Sequence, residues 1–297
     1  MAKTAAKLVA NTGRQCLRNF FLTCQSSSGA HRINITEWGE ANNSNVLICA
    51  HGLTRCGRDF DTLAIAMSDK YRVLCPDIVG RGKSDWLDDR ADYNYPQYVS
   101  DMVRLVAKSG AKTLHWVGTS MGGIIGMLLA AQPNSPIVRF VINDVGPIIP
   151  KSSLERISKY MDEKASPLFA SIEDAITIVR SVSPFGPLTD AEWRDTTLPL
   201  IKPAANGQWQ FRYDPAIALA LKSQPIVDVD LTPFWNEVKC PVLVTRGENS
   251  DLLLPTTYAA MCAKPNVRGV EFANTGHAPM FQDAASIAVV REFLLSK

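Results

Sequence analysis

Short apolar runs alternating with helical patterns dominate the chain. A hairpin is predicted first, with strands from Phe20 to Gln25 and from Arg32 to Trp38 about a Ser-Ser-Ser-Gly turn that begins at Ser26. Further runs at Val46–Ala50, Arg72–Cys75, Thr113–Val117 and Val138–Asn143 predict strands, with helices near Phe60–Ser68, near Pro96–Lys108 and directly after Ser120. Strands this short, flanked by helices, indicate an α/β fold: a mostly parallel central sheet with helices on both faces. The alternation stops near Gly146. From Pro147 to about Val238 no strand is predicted. Ser171-Ile172-Glu173-Asp174 and Thr189-Asp190-Ala191-Glu192 read as helix-capping boxes there, and prolines cut the segment into short helices. Strand pattern returns at Pro241–Thr245 and Val267–Ala273. The expected organisation is a basic tail over 1–19, a core over 20–146 and 239–297, and an insertion over 147–238.

The chemistry concentrates at the ends of these strands, where parallel sheets place their ligands. Gly118-Thr119-Ser120-Met121-Gly122 joins a strand to a helix with a serine at the apex. A serine hydroxyl becomes a nucleophile when a fixed base stands beside it, and the glycines let strand and helix pack closely enough to hold it there. Four histidines are available as base. His31 lies in a polar N-terminal stretch ahead of any core strand, and His115 lies inside the strand leading to Ser120. His51 ends another strand, where the turn at Gly52 aims the Leu53 amide at the space above Ser120; with the Met121 amide it would form an oxyanion hole. His277, late in the chain and flanked by Gly276 and Ala278-Pro279, is the expected base. An acid must orient it. Asp251, one strand-and-helix unit earlier, is preferred; Asp144 is the alternative, read mainly as a turn residue bonding its own backbone, and Glu248 comes third.

In the order Ser120, Asp251, His277 these residues resemble the α/β-hydrolase family, over roughly residues 20 to 295. His51-Gly52-Leu53 is similar to that family's oxyanion strand end, Asp77-Ile78-Val79-Gly80-Arg81-Gly82-Lys83-Ser84 to its Asp-x-x-Gly-x-Gly-x-Ser loop, Gly118–Gly122 to its nucleophile elbow, and Gly276-His277 to its histidine loop. The resemblance implies that the insertion is a helical lid. A serine at the elbow argues against the branches that use a carboxylate nucleophile. Gly82-Lys83-Ser84 is similar to the end of a phosphate loop but is read as none, because Asp77 stands where that motif needs its first glycine. Asp77 is expected to shape the turn.

Composition narrows the rest. Hydrophobic residues make up 46% and charged residues 20%, enough apolar material for one large core. A net charge of +2 without a basic stripe gives no reason to expect nucleic acid as a partner, and no apolar run is long enough to span a bilayer. Seven cysteines without a Cys-x-x-Cys read as reduced thiols, which favours the cytoplasm. Lys3, Lys7, Arg14, Arg18 and Arg32 precede the first acid, Glu37, so an organellar presequence is the alternative. No cofactor or metal is expected. Arg55 and Arg58, just past the oxyanion turn, and Arg212 in the insertion are candidates for binding a substrate carboxylate, with pairing to Asp59 or Asp61 as the plainer role for the first two. The expected activity is hydrolysis of a small carboxylic ester through an acyl-enzyme. Carbon–carbon bond, lactone or amide hydrolysis is open on the same residues, as is a slow or non-catalytic ligand-binding protein.

Overall fold

The computed structural model describes residues 17–164, 167–218 and 225–296. Most of the expected basic tail, residues 1–16, lies outside the described residues. Its last part does not belong to a tail: β1 (Arg18–Ser26) begins at Arg18 and pairs antiparallel with β2 (Gly29–Trp38). His31 is therefore not ahead of the core strands. It sits inside β2, buried, with Nε2 3.0 Å from an Asp101 carboxylate oxygen.

The chain continues through β3 (Asn45–Ala50), α1 (Asp61–Met67), β4 (Arg72–Pro76), α2 (Tyr95–Ser109), β5 (Thr113–Thr119), α3 (Met121–Ala130) and β6 (Ile137–Asn143). Helix α2 shows how locally its bounds are set. The Asn94 side chain accepts from the Gln97 amide, Pro96 sits in the first turn, and Gly110 ends the helix in the left-handed region at φ 63°. Between β6 and the next core strand lie β7 (Ile148–Ile149), α4 (Lys151–Lys164), β8 (Leu168–Phe169), α5 (Ile172–Val182), α6 (Asp190–Thr197), β9 (Ile201–Pro203), β10 (Trp209–Phe211), β11 (Val229–Asp230) and α7 (Thr232–Glu237). Both expected capping boxes are present, at the starts of α5 and α6. The expectation of no strand fails here. Strands β8, β10 and β9 form a small sheet, and β11 pairs with β7 so that the two ends of the segment are tied together. Runs of two or three residues are too short to show a period of two, which is why the pattern missed them. The core resumes with β12 (Val242–Gly247), α8 (Pro255–Cys262), β13 (Val267–Phe272) and α9 (Ala284–Leu295).

The large sheet has eight strands in the order β1-β2-β4-β3-β5-β6-β12-β13, parallel from β4 onward. Alternate residues serve opposite faces. Val46, Ile48, Trp116, Phe140 and Val244 enter one core with α2 and α3, whereas Leu47, Cys49, Val117, Val141 and Leu243 enter a second with α1 and α9. Among the described residues no cysteine is in a disulfide, and no helix is long and apolar enough to cross a membrane.

His115 is held in the strand by the Tyr71 hydroxyl, 2.8 Å from its Nδ1. Burial, with a smaller contribution from Arg139, pushes its pKa down from 6.5 to about 4. The unfolded chain thus takes up a proton that the folded chain refuses. Stability present above 6.5 is lost as pH falls toward about 4. Urea titrations across that window are expected to show a slope smaller by about one proton in His115→Gln than in the wild type. An unchanged slope would contradict this account of His115.

Candidate active site

Register brings the strand ends level. Ala50 pairs with Gly118, and Asn143 pairs with both Thr119 and Thr245. The residues that follow, Ser120 and Asp144, are therefore neighbours at the carboxyl edge of the sheet. Ser120 caps α3 at φ 53° and ψ −116°, a conformation costly for a residue with a side chain. It is held there because its amide donates to the Asn143 carbonyl at 2.9 Å, while its own carbonyl accepts from Gly123 and Ile124. The flanking glycines are needed for space. A Cβ at Gly118 would run into the Gly122 backbone, and one at Gly122 into the carbonyl of Ala50.

His277 follows β13 and reaches back over the sheet edge. Its Nε2 lies 2.9 Å from the Ser120 hydroxyl, and its Nδ1 lies 2.7 Å from an Asp144 carboxylate oxygen. Asp144 is fully buried, and its carboxylate also accepts from the Gly247 amide at 2.9 Å and the Ser250 hydroxyl at 2.7 Å. The acid expected from sequence, Asp251, is elsewhere. Its half-exposed carboxylate pairs with Arg156, and no hydrogen bond joins it to His277 among the described residues. Strand order accounts for which of the two carboxylates lies against His277. β6 lies directly beside β5, so the first residue after β6 is beside the serine, whereas Asp251 follows β12, one strand further from β5. Asp144 does adopt the left-handed turn conformation expected of it, at φ 56°. Its side chain, however, serves other segments rather than its own backbone. Glu248 accepts from the Asn274 amide and takes no part.

The amides of Leu53 and Met121 donate to no group among the described residues, and Met121 is the first residue of its helix, where an amide has no partner within the helix. The turn carrying Leu53 is fixed from behind. His51 Nε2 accepts from the Ile78 amide at 2.9 Å, and its Nδ1 lies 2.6 Å from the Gly52 carbonyl oxygen. Burial drives its pKa down to about 3, so it is a neutral acceptor rather than a base. Arg81, fully buried, donates to the Leu53 carbonyl at 2.8 Å and stacks over Tyr98. Asp77 accepts from the Gly57 and Lys83 amides and from Asn34, which shapes the loop that presents Arg81.

These groups open into a cavity of about 420 Å³. Leu53, Ser120 and His277 line it from the core; Arg156, Ile157, Lys159 and Met161 of α4 and Val182–Phe185 line it from the inserted segment. Of the three candidate arginines, only Arg55 reaches it, and there it chelates Asp59 at 2.8 and 2.7 Å while donating to the Thr196 carbonyl. Arg58 pairs with Asp61, and it and Arg212 line a separate cavity, so neither is brought to the serine.

Residues 47–290 match the alpha/beta hydrolase family. The chain belongs to that family. The 3-hydroxybutyrate-oligomer hydrolase of Cupriavidus necator is 44% identical over 283 residues, 92% of this chain and 96% of its own. A putative hydrolase from Rickettsia typhi superposes with a TM-score of 0.87 at 29% identity, covering 95% of this chain and 99% of that one. An alpha/beta hydrolase from Novosphingobium aromaticivorans does so with a TM-score of 0.84 at 32% identity, over 95% and 99%. The protein is an enzyme, a hydrolase of this family.

Sequence reasoning missed Arg81, Asn143, Ser250 and the α4 cations. Arg81 was visible within the glycine loop, but its contact with Leu53 depends on how two loops meet. Because Gly122 meets the Ala50 backbone with no room to yield, Gly122→Ala is expected to cost about 1–3 kcal/mol and to lower the melting temperature by several degrees. An unaltered midpoint in thermal denaturation would contradict the tight approach.

Proposed function

We propose that the protein hydrolyses carboxylic esters of small hydroxy acids, with Ser120 as nucleophile, His277 as base and Asp144 as its orienting acid. The observation that carries this reading is the unbroken hydrogen-bond chain from Ser120 through His277 to Asp144, at 2.9 and 2.7 Å. Nδ1–H of His277 donates to Asp144, which leaves Nε2 as the acceptor for the serine proton. The buried carboxylate, already bonded by Gly247 and Ser250, cannot swing away and stabilises the imidazolium as it forms.

The steps follow from this placement. Ser120 Oγ attacks the ester carbon and its proton passes to His277. The carbonyl oxygen becomes negative between the amides of Leu53 and Met121, at the N-terminus of α3. His277 then protonates the departing alkoxide. Water, deprotonated by His277, releases the acid from the acyl-enzyme. The inserted segment acts as a lid in this reading, because α4 and Val182–Phe185 line the cavity opposite Ser120 and His277. Hydroxy-acid esters are the favoured substrates on two grounds. The Cupriavidus necator relative is named for an oligomer of such an acid. The cavity also combines an apolar lining with cations.

With p-nitrophenyl butyrate as substrate, Ser120→Ala is expected to lower kcat by about 10⁴-fold or more. Asp144→Asn should lower it by about 10⁴-fold, since the wrong imidazole tautomer would then be held. Asp251→Asn should change it by less than about tenfold. Loss in Asp251→Asn with activity kept in Asp144→Asn would overturn the assignment of the acid.

A further inference from the structure

Charged side chains line the active-site cavity from both the core and α4. Asp59 is its one acid among the described residues, and Arg55 neutralises it in a chelate whose side chains are only 11% and 10% exposed. Two further cations, Arg156 and Lys159, stand on α4 one turn apart and therefore share a helix face. The rest of the wall is largely apolar, including Leu53, Ile157, Met161, Val182 and Phe185. A cavity apolar along its length and cationic on one wall suits a ligand with an anionic end.

Arg156 is built to hold a second carboxylate. Its Nε and Nη2 pair with Asp251, leaving Nη1 donating to no group among the described residues. That pair is 45% and 49% exposed, so it contributes little to stability, and Nη1 is left to a ligand. The Ser153 hydroxyl donates to the Asp251 carbonyl at 2.7 Å, which docks α4 on the loop carrying Asp251. Asp251 thus orients the arginine rather than the histidine.

We propose that Arg156 and Lys159 bind the free carboxylate of the leaving half of the substrate, making the enzyme selective for esters whose alcohol component is itself a hydroxy acid. This rests on the ester-hydrolase reading above. In an ester of two hydroxy acids the acyl half spends its carboxyl carbon in the scissile bond and ends in a hydroxyl. The free carboxylate therefore belongs to the alkoxide half. Ser120 Oγ forms a bond to the carbonyl carbon, the bond from that carbon to the alkoxide oxygen breaks, and His277 gives its proton to that oxygen. The hydroxy acid departs from the cationic wall. The hydroxyl-ended half stays on Ser120 until water adds its oxygen to the acyl carbon. An oligomer is thus shortened from its carboxyl end.

The test compares the linear dimer of 3-hydroxybutyrate with the same dimer carrying a carboxamide in place of the terminal carboxylate. Cleavage of the internal ester is followed by chromatography. The wild type is expected to prefer the acid by about tenfold or more in kcat/KM, with the preference shrinking as salt is raised. In Arg156→Gln/Lys159→Gln the acid-to-amide ratio should fall about tenfold, mainly through KM for the acid. Lys159→Gln alone should give an intermediate ratio. A wild-type ratio near one, or a ratio unchanged in the double variant, would overturn the proposal. So would failure to cleave either dimer by a protein that still hydrolyses p-nitrophenyl butyrate; that result would leave the ester-hydrolase reading standing. Inactivity of the wild type on all these esters would overturn both.

Discussion

The approach of α3 to the ends of β3 and β5 is the constraint on which the site depends. Gly118 and Gly122 meet with no side chain between them, and Gly122 also lies against Ala50. That closeness bends the chain at Ser120 into the left-handed region, lifts its hydroxyl above the sheet edge, and places the first amide of α3 beside the Leu53 turn. The backbone strain at Ser120 costs about 1–3 kcal/mol. The two apolar cores on either face of the sheet hold the strands that make the bend unavoidable. The Ser120 hydroxyl is thus positioned by packing, within hydrogen-bond distance of His277.

A second layer of polar contacts holds the opposite wall. Neutral His51 grips the Ile78 amide, and buried Arg81 grips the Leu53 carbonyl. Asp77 gathers the amides of Gly57 and Lys83. Burial pushes the Asp77 carboxyl up, and the hydrogen bonds from those amides and from Asn34 pull against the shift. Such networks are favourable only when each member is satisfied, so removing one leaves the others buried without partners. The polar residues behind Leu53 thereby hold the loop at 51–53 in one conformation.

Much of this was legible in the chain. Strand runs at 46–50, 113–117 and 138–143 lie within the observed strands, and the elbow and His277 meet as the spacing suggested. That Asp144 rather than Asp251 contacts His277 was not legible, for a definite physical reason. Asp144 and Asp251 both follow strands, and only the order of those strands in the sheet tells which stands beside Ser120. Spatial order is a property of the packed sheet and leaves no mark on periodicity. Arg55 and Arg58 illustrate the converse: their pairing with Asp59 and Asp61 is local, three or four residues along a helical turn, and the plainer expectation holds. Arg156 lies in a segment whose placement over the cavity depends on how the insertion folds back, through contacts such as β7 with β11.

The central claim is that Ser120 is activated by His277 under the control of Asp144. The most direct measurement is the rate at which a fluorophosphonate labels the protein, with the modified peptide located by mass spectrometry. The account predicts labelling at Ser120 that is abolished in His277→Ala, strongly slowed in Asp144→Asn and little altered in Asp251→Asn. Labelling at another residue, or at Ser120 with a rate indifferent to Asp144, would contradict it.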